Sequence, residues 1–110
     1  VLKFGGTSVG SIDRIKNVAK IVIGYLKKRY KVIVVSSAMS GETNKLIKLA
    51  QKTSNNFISS EYDTLVSTGE QISCSLISGR LNDQGYPARS WLGWQIPILT
   101  EAMGLFRCVV

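Results

Sequence analysis

An α/β fold built on a parallel sheet is predicted by three observations. A short apolar strand, Val1-Leu2-Lys3-Phe4, runs into a glycine turn and then a long amphipathic stretch. A second run, Val32-Ile33-Val34-Val35, is β-branched without a polar break, as in a strand covered on both faces of a parallel sheet. Strand, helix and strand within about 35 residues make a βαβ unit, whose crossover is right-handed.

The elements follow in chain order. From Ile12 to about Tyr30 the apolar residues Ile12, Ile15, Val18, Ala19, Val22, Ile23 and Leu26 recur at threes and fours, with Ser11 placed to cap the helix. Lys31 opens the second strand, which ends in the small polar loop Ser36–Asn44 before a basic helix to about Lys52. Thr53–Ser60 reads as a loop. A helical stretch from Glu61 to about Asn82 puts Leu65, Gly69, Ile72, Leu76 and Ile77 on one side. Ser67-Thr68-Gly69-Glu70 interrupts it, and Ser67 with Glu70 has capping-box spacing, so a helix restart is expected there. Gly85-Tyr86-Pro87 is a turn, Ala88–Leu92 a third strand, and Gly93-Trp94-Gln95 leads into Ile96–Thr100.

At 110 residues the chain is one domain at most, long enough for a modest core. No run of about eighteen apolar residues predicts a membrane span, and no basic-then-apolar start predicts a secretion signal. Cys74 and Cys108 are far apart and lack metal-ligand neighbours, which suits structural thiols in a reduced, cytoplasmic setting. The net charge is +7 with no histidine, and all Lys and Arg except Arg80, Arg89 and Arg107 precede Thr53. They sit at helical spacing opposite apolar residues, with no aromatics between them to stack bases. Solvated helix faces, not a nucleic-acid surface, are the expectation.

The stretch of greatest chemical interest is Lys3-Phe4-Gly5-Gly6-Thr7-Ser8-Val9-Gly10-Ser11. A strand, a glycine bend and a helix start aim several backbone N–H groups and a positive helix end at one spot, which suits a phosphate. Lys3 adds a mobile charge, and glycines allow close approach and positive φ. The pattern is neither a Walker A loop nor a dinucleotide fingerprint, because the lysine precedes the glycines. Ligands of open parallel sheets gather beyond the carboxyl ends of strands, so this bend and the Ser37–Thr43 loop should converge. Glu70 is either part of a cap or a carboxylate for a cationic amine.

Together these stretches resemble a known family. Lys3–Gly10, then Val34-Val35-Ser36-Ser37-Ala38-Met39, Gly41-Glu42-Thr43-Asn44, Ser67–Gln71 and Gly93-Trp94-Gln95 are similar, in order, to the motifs of aspartate kinases in the amino-acid kinase superfamily. The resemblance implies the N-terminal part of an amino-acid kinase catalytic domain: a partial three-layer α/β/α sandwich with a mainly parallel sheet. It implies transfer of the γ-phosphate of ATP, carried with Mg2+, to the β-carboxylate of L-aspartate, at the start of the route to lysine, threonine and methionine. Lys3 would be catalytic and bind phosphate with Gly5, Gly6, Thr7 and Ser8, while Ser37, Thr43 and Glu70 would hold aspartate. No protein side chain is expected as a metal ligand, and no nucleic acid or membrane as a partner.

The chain departs from the family in length and at its end. Residues 101–110 are apolar and unlike the family's continuation, and the downstream Gly/Ser/Asp-rich segment and regulatory domains are not in the sequence. An incomplete fragment with little activity of its own is expected. It would pair with a second chain that supplies the missing half, or with another copy of itself. Alternatives are a non-catalytic remnant, half of a split kinase, or a superfamily member acting on glutamate, N-acetylglutamate or a nucleotide.

Overall fold

A computed structural model describes residues 1–96. In chain order they form β1 (Leu2–Phe4), α1 (Ile12–Lys27), β2 (Val34–Ser36), α2 (Glu42–Thr53) and α3 (Ser59–Asp83), then a 3-10 turn at Gly93–Gln95. β1 and β2 pair in parallel, Leu2 beside Val34, Lys3 beside Val35 and Phe4 beside Ser36. The α/β class and the βαβ unit are therefore present. Leu2, Phe4 and Val34 pack on the core, whose buried members are Val9, Ile15, Val18, Ala19 and Val22 with Ile77 and Leu81 of α3. By strand alternation Val1, Lys3, Ile33 and Val35 face the other way. Val1 is 88% and Ile33 60% exposed, so that face of the sheet is open among the described residues.

Helix α1 begins where its spacing predicts. The Ser11 Oγ accepts the Arg14 N–H at 3.3 Å, and Ile15, Val18, Ala19 and Val22 form its buried stripe. Its end is unusual. Arg29 takes φ +64°, a left-handed turn that residues bearing a Cβ adopt at a cost, and the Tyr30 N–H closes onto the Tyr25 carbonyl at 3.2 Å. The edge-to-face contact of Tyr25 with Tyr30, ring centres 6.0 Å apart, accompanies that closure. The second strand is shorter and later than predicted: Val32 and Ile33 lead into it, although the Ile33 carbonyl still accepts the Leu2 N–H at 2.8 Å.

Three expectations need correction. Helix α3 runs without a break through Ser67–Glu70. The Ser67 hydroxyl donates to the Thr64 carbonyl at 2.8 Å and Thr68 to Leu65 at 2.7 Å. Hydroxyls turned back on the preceding turn leave the helix ladder intact, so no restart forms. The buried side of α3 is Gly69, Ser73, Cys74, Ile77 and Leu81, while Ile72 and Leu76 are 41% and 36% exposed. Finally, Ala88–Leu92 is not a strand among the described residues. The Asn82 amide donates to the Ala88 carbonyl at 2.9 Å and accepts its N–H at 3.0 Å, replacing the ladder partners a strand would need. Ser90 donates to Ser78 at 3.1 Å, so the segment lies along α3. The expectations for residues 97–100, for the tail 101–110 and for Cys108 lie outside the described residues.

Candidate functional site

The glycine bend is built by a few local bonds. The Ser8 N–H donates to the Gly5 carbonyl at 2.9 Å and the Gly10 N–H to Thr7 at 3.3 Å, while the Arg14 guanidinium donates to the Thr7 carbonyl. The N–H groups of Gly5, Gly6 and Thr7 meet no acceptor among the described residues. Three unpaired donors lie on consecutive residues ahead of the positive end of α1, a local excess of positive potential.

The reason for the glycines differs from the one expected. Neither Gly5 nor Gly6 has a positive φ; those angles occur at Gly41 (+81°), the N-cap of α2, and at Gly85 (+80°). Instead a Cβ on Gly6 would stand 3.0 Å from the Ala38 carbonyl oxygen, and one on Gly10 3.1 Å from the Ser40 Cβ. A Cβ on Gly5 would meet nothing within 4 Å; it would project into open space beside the free N–H groups. Gly6 and Gly10 thus serve the fit of one loop on another, and Gly5 keeps the bend uncovered.

Ala38 is where three segments meet. Its carbonyl abuts Gly6 as above, and its Cβ lies 3.0 Å from where a Cβ on Gly69 would be. Ala38 is buried, as is Ser73 one turn beyond Gly69. The Ser73 hydroxyl lies 2.7 Å from the Ser37 carbonyl, 3.0 Å from the Glu70 carbonyl and 3.3 Å from the Ser36 Oγ. The Ser37 N–H in turn donates to the Phe4 carbonyl at 3.0 Å. The bend, the loop after β2 and the middle of α3 are therefore one packed junction.

The remaining candidates can be placed one by one. Lys3 is exposed on the open face of the sheet beside Val35 and makes no ion pair among the described residues. Thr7 and Ser8 are exposed on the bend. Ser37, Thr43 and Glu70 are half-buried, and neither hydroxyl nor the carboxylate has a side-chain hydrogen-bond partner among the described residues. By contrast the acids nearest in sequence to the basic helices are occupied: Asp13 by Lys16 at 3.6 Å and Glu42 by Lys45 at 3.0 Å. Among the described residues no cluster of three His, Cys, Asp or Glu could hold a metal ion. No helix there is long and apolar enough to cross a membrane.

Sequence reasoning missed Ser73, Arg14 and the pairing of Ala38 with two glycines. Ser73 could have been noticed as a polar residue on the otherwise apolar Cys74–Ile77–Leu81 side of α3. A cavity of about 290 Å³ lies elsewhere; Val22, Leu26, Val34, Ile77 and Trp91 line it, and none of the candidate residues does.

Comparison with known proteins gives consistent results. The amino acid kinase family profile matches residues 1–104. The chain is 50% identical to an aspartokinase of Geobacillus stearothermophilus over 103 residues, covering 94% of this chain and 25% of that protein. Aspartokinase 2 of Bacillus subtilis is 47% identical over the same shares. Among solved structures, the aspartate kinase from Synechocystis superposes with a TM-score of 0.86 at 44% identity, covering 91% of this chain and 17% of that one. The chain thus spans about a quarter of the length of the curated relatives it matches.

Proposed function

The chain belongs to the amino acid kinase family, and we propose that it forms the phosphate-gripping and amino-acid-holding part of an aspartate kinase. In this reading the γ-phosphoryl group of ATP, carried with Mg2+, passes to the β-carboxylate of L-aspartate. The bond from the γ-phosphorus to the bridging oxygen breaks, a bond to the carboxylate oxygen forms, and ADP leaves. The observation that carries the proposal is the Ala38 junction. It joins a bend with three N–H donors to a helix carboxylate, all four without a partner among the described residues.

Phosphoryl transfer asks little covalent help of a protein; it needs in-line positioning and neutralised charge on the equatorial oxygens. The N–H groups of Gly5, Gly6 and Thr7, with Thr7 and Ser8 beside them, would take phosphate oxygens, and Lys3 would offset the growing charge on the transferring group. Glu70 would pair with the α-ammonium of aspartate, with the Ser37 and Thr43 hydroxyls on its other polar groups. A carboxylate acceptor is ionised at neutral pH, so no general base is required. Magnesium would arrive with the nucleotide. The rest of the nucleotide site would come from sequence corresponding to the remainder of the relatives, on the same polypeptide or a second one.

Hydroxamate trapping of aspartyl phosphate tests the reading. The chain is combined with the C-terminal three quarters of the Geobacillus stearothermophilus aspartokinase, and hydroxamate formation is followed with aspartate or glutamate. Aspartate-dependent product, lowered at least about a hundredfold by Lys3→Ala, is expected, since one such electrostatic donor contributes about 3 kcal/mol. Preference for glutamate, or equal rates for the parent and Lys3→Ala, would overturn it.

A further inference from the structure

We propose that Ser73 is a positioning residue that sets the distance between the Ser37–Thr43 loop and the Glu70 carboxylate. The proposal rests on the reading of those residues as the amino-acid subsite. Ser73 is fully buried, and its hydroxyl sits among three partners, one each from β2, the loop after it and α3 itself. A serine inside a helix ordinarily satisfies its hydroxyl on the carbonyl three or four residues back. That option exists here, with Glu70 at 3.0 Å, but the shorter approach is across to the Ser37 carbonyl at 2.7 Å. The Ser36 hydroxyl lies 3.1 Å from that same Ser37 carbonyl and 3.3 Å from the Ser73 Oγ. The Ser37 carbonyl thus gathers both buried hydroxyls, with Ser73 at the shorter distance.

The geometry gives this tie its consequence. Glu70 and Ser73 are three residues apart and share a helix side, so the start of the Glu70 side chain is fixed relative to the Ser73 hydroxyl. On the other side of the bond, the Ser37 carbonyl belongs to the peptide joining Ser37 to Ala38, and its direction fixes how the Ser37 side chain and the following loop are presented. The close approach this requires is available because Gly69, one turn earlier, has no Cβ to meet that of Ala38. Ser73 touches no reacting atom. An alanine would fill nearly the same space, and burying a hydroxyl is unfavourable unless it is bonded, so packing alone gives no reason for serine.

Amide exchange and ligand titration by NMR on the 110-residue chain test the tie, comparing the parent with Ser73→Ala, Ser73→Cys and Ser36→Ala. Ser73→Ala should speed exchange of the amides in residues 37–43 roughly tenfold, the effect of one buried hydrogen bond. The α1 amides of Val18, Ala19 and Val22 should keep their protection. Ser73→Cys, a weaker donor of similar shape, should fall between. Ser36→Ala leaves the Ser73–Ser37 bond in place and should resemble the parent. Ser73→Ala should also weaken L-aspartate binding about tenfold while leaving MgATP binding unchanged, a split that general destabilisation would not produce. Unchanged exchange in residues 37–43, or equal acceleration there and in α1, would overturn the proposal. A parent chain that ignores L-aspartate while Ser73→Ala still loosens only residues 37–43 would sustain the tie and refute the amino-acid reading of the site.

Discussion

Gly69→Ala tests the packing of the Ala38 junction, and Gly79→Ala on the same helix supplies its control. An alanine replacing glycine inside a helix gains about 1 kcal/mol from backbone entropy. At Gly79 a new Cβ meets nothing within 4 Å, so the full gain is expected. At Gly69 the Cβ would lie 3.0 Å from the Ala38 Cβ and 3.5 Å from the Leu46 Cδ1. Carbon pairs prefer about 3.5–4.0 Å. Ala38 cannot withdraw easily, because its carbonyl oxygen is already against Gly6, whose own Cβ position is 3.0 Å away. Overpacking of this kind costs about 1–3 kcal/mol. The two variants should therefore differ by about 2 kcal/mol, which in urea is a midpoint difference of about 1 M for a slope of about 2 kcal/mol per M. Adding Ala38→Gly to Gly69→Ala removes the opposing methyl and should recover most of the loss. Denaturation midpoints that coincide for Gly69→Ala and Gly79→Ala would show that the three segments are not pressed together at Ala38.

Other expected outcomes follow from single residues. Arg29→Gly relieves a left-handed conformation at the end of α1 and should raise stability by about 0.5–1 kcal/mol, seen as a higher urea midpoint; a lower midpoint would contradict the strain. Ile77→Ala opens a space in the core between α3 and α1 and should cost about 2–5 kcal/mol, enough to leave the chain largely unfolded by circular dichroism. Arg14→Ala removes the guanidinium that holds the Thr7 carbonyl from an exposed position. It should change the unfolding midpoint little yet weaken MgATP binding, and unaltered nucleotide affinity in calorimetry would detach Arg14 from the bend.

Much of the architecture was legible because local and tertiary preferences agree. In α1 the Ser11 cap, the apolar spacing and the buried stripe all give one answer. The two strand ends were legible as places where small residues gather, and their convergence follows from parallel pairing. In α3 the same logic failed for a physical reason. Its buried side joins Ile77 and Leu81 to Gly69, Ser73 and Cys74, small residues that let backbones approach, while Ile72 and Leu76 lie toward solvent. A reading weighted by side-chain size keeps Gly69 and Ile77 but takes Ile72 and Leu76 inside in place of Ser73 and Cys74. The Ser67–Glu70 spacing misled because a capping box and a hydroxyl bonded back into its own helix use the same residue types. Ala88–Leu92 has a strand's composition, but its outcome depends on one distant side chain, Asn82, which no local pattern reveals. The candidate residues themselves were legible as types and spacings. What holds them in register, Ser73 and the glycine pair around Ala38, is a matter of contacts between segments more than thirty residues apart.

Titration of the uniformly 15N-labelled chain with MgATP addresses the glycine bend directly, because each of its amides reports separately. The resonances of Gly5, Gly6 and Thr7 are expected to move together, saturably and with salt sensitivity, and to move farther than any amide of α2. Shifts confined to the lysine-bearing surface of α2, with those three amides stationary, would contradict the assignment of the bend as the phosphate grip.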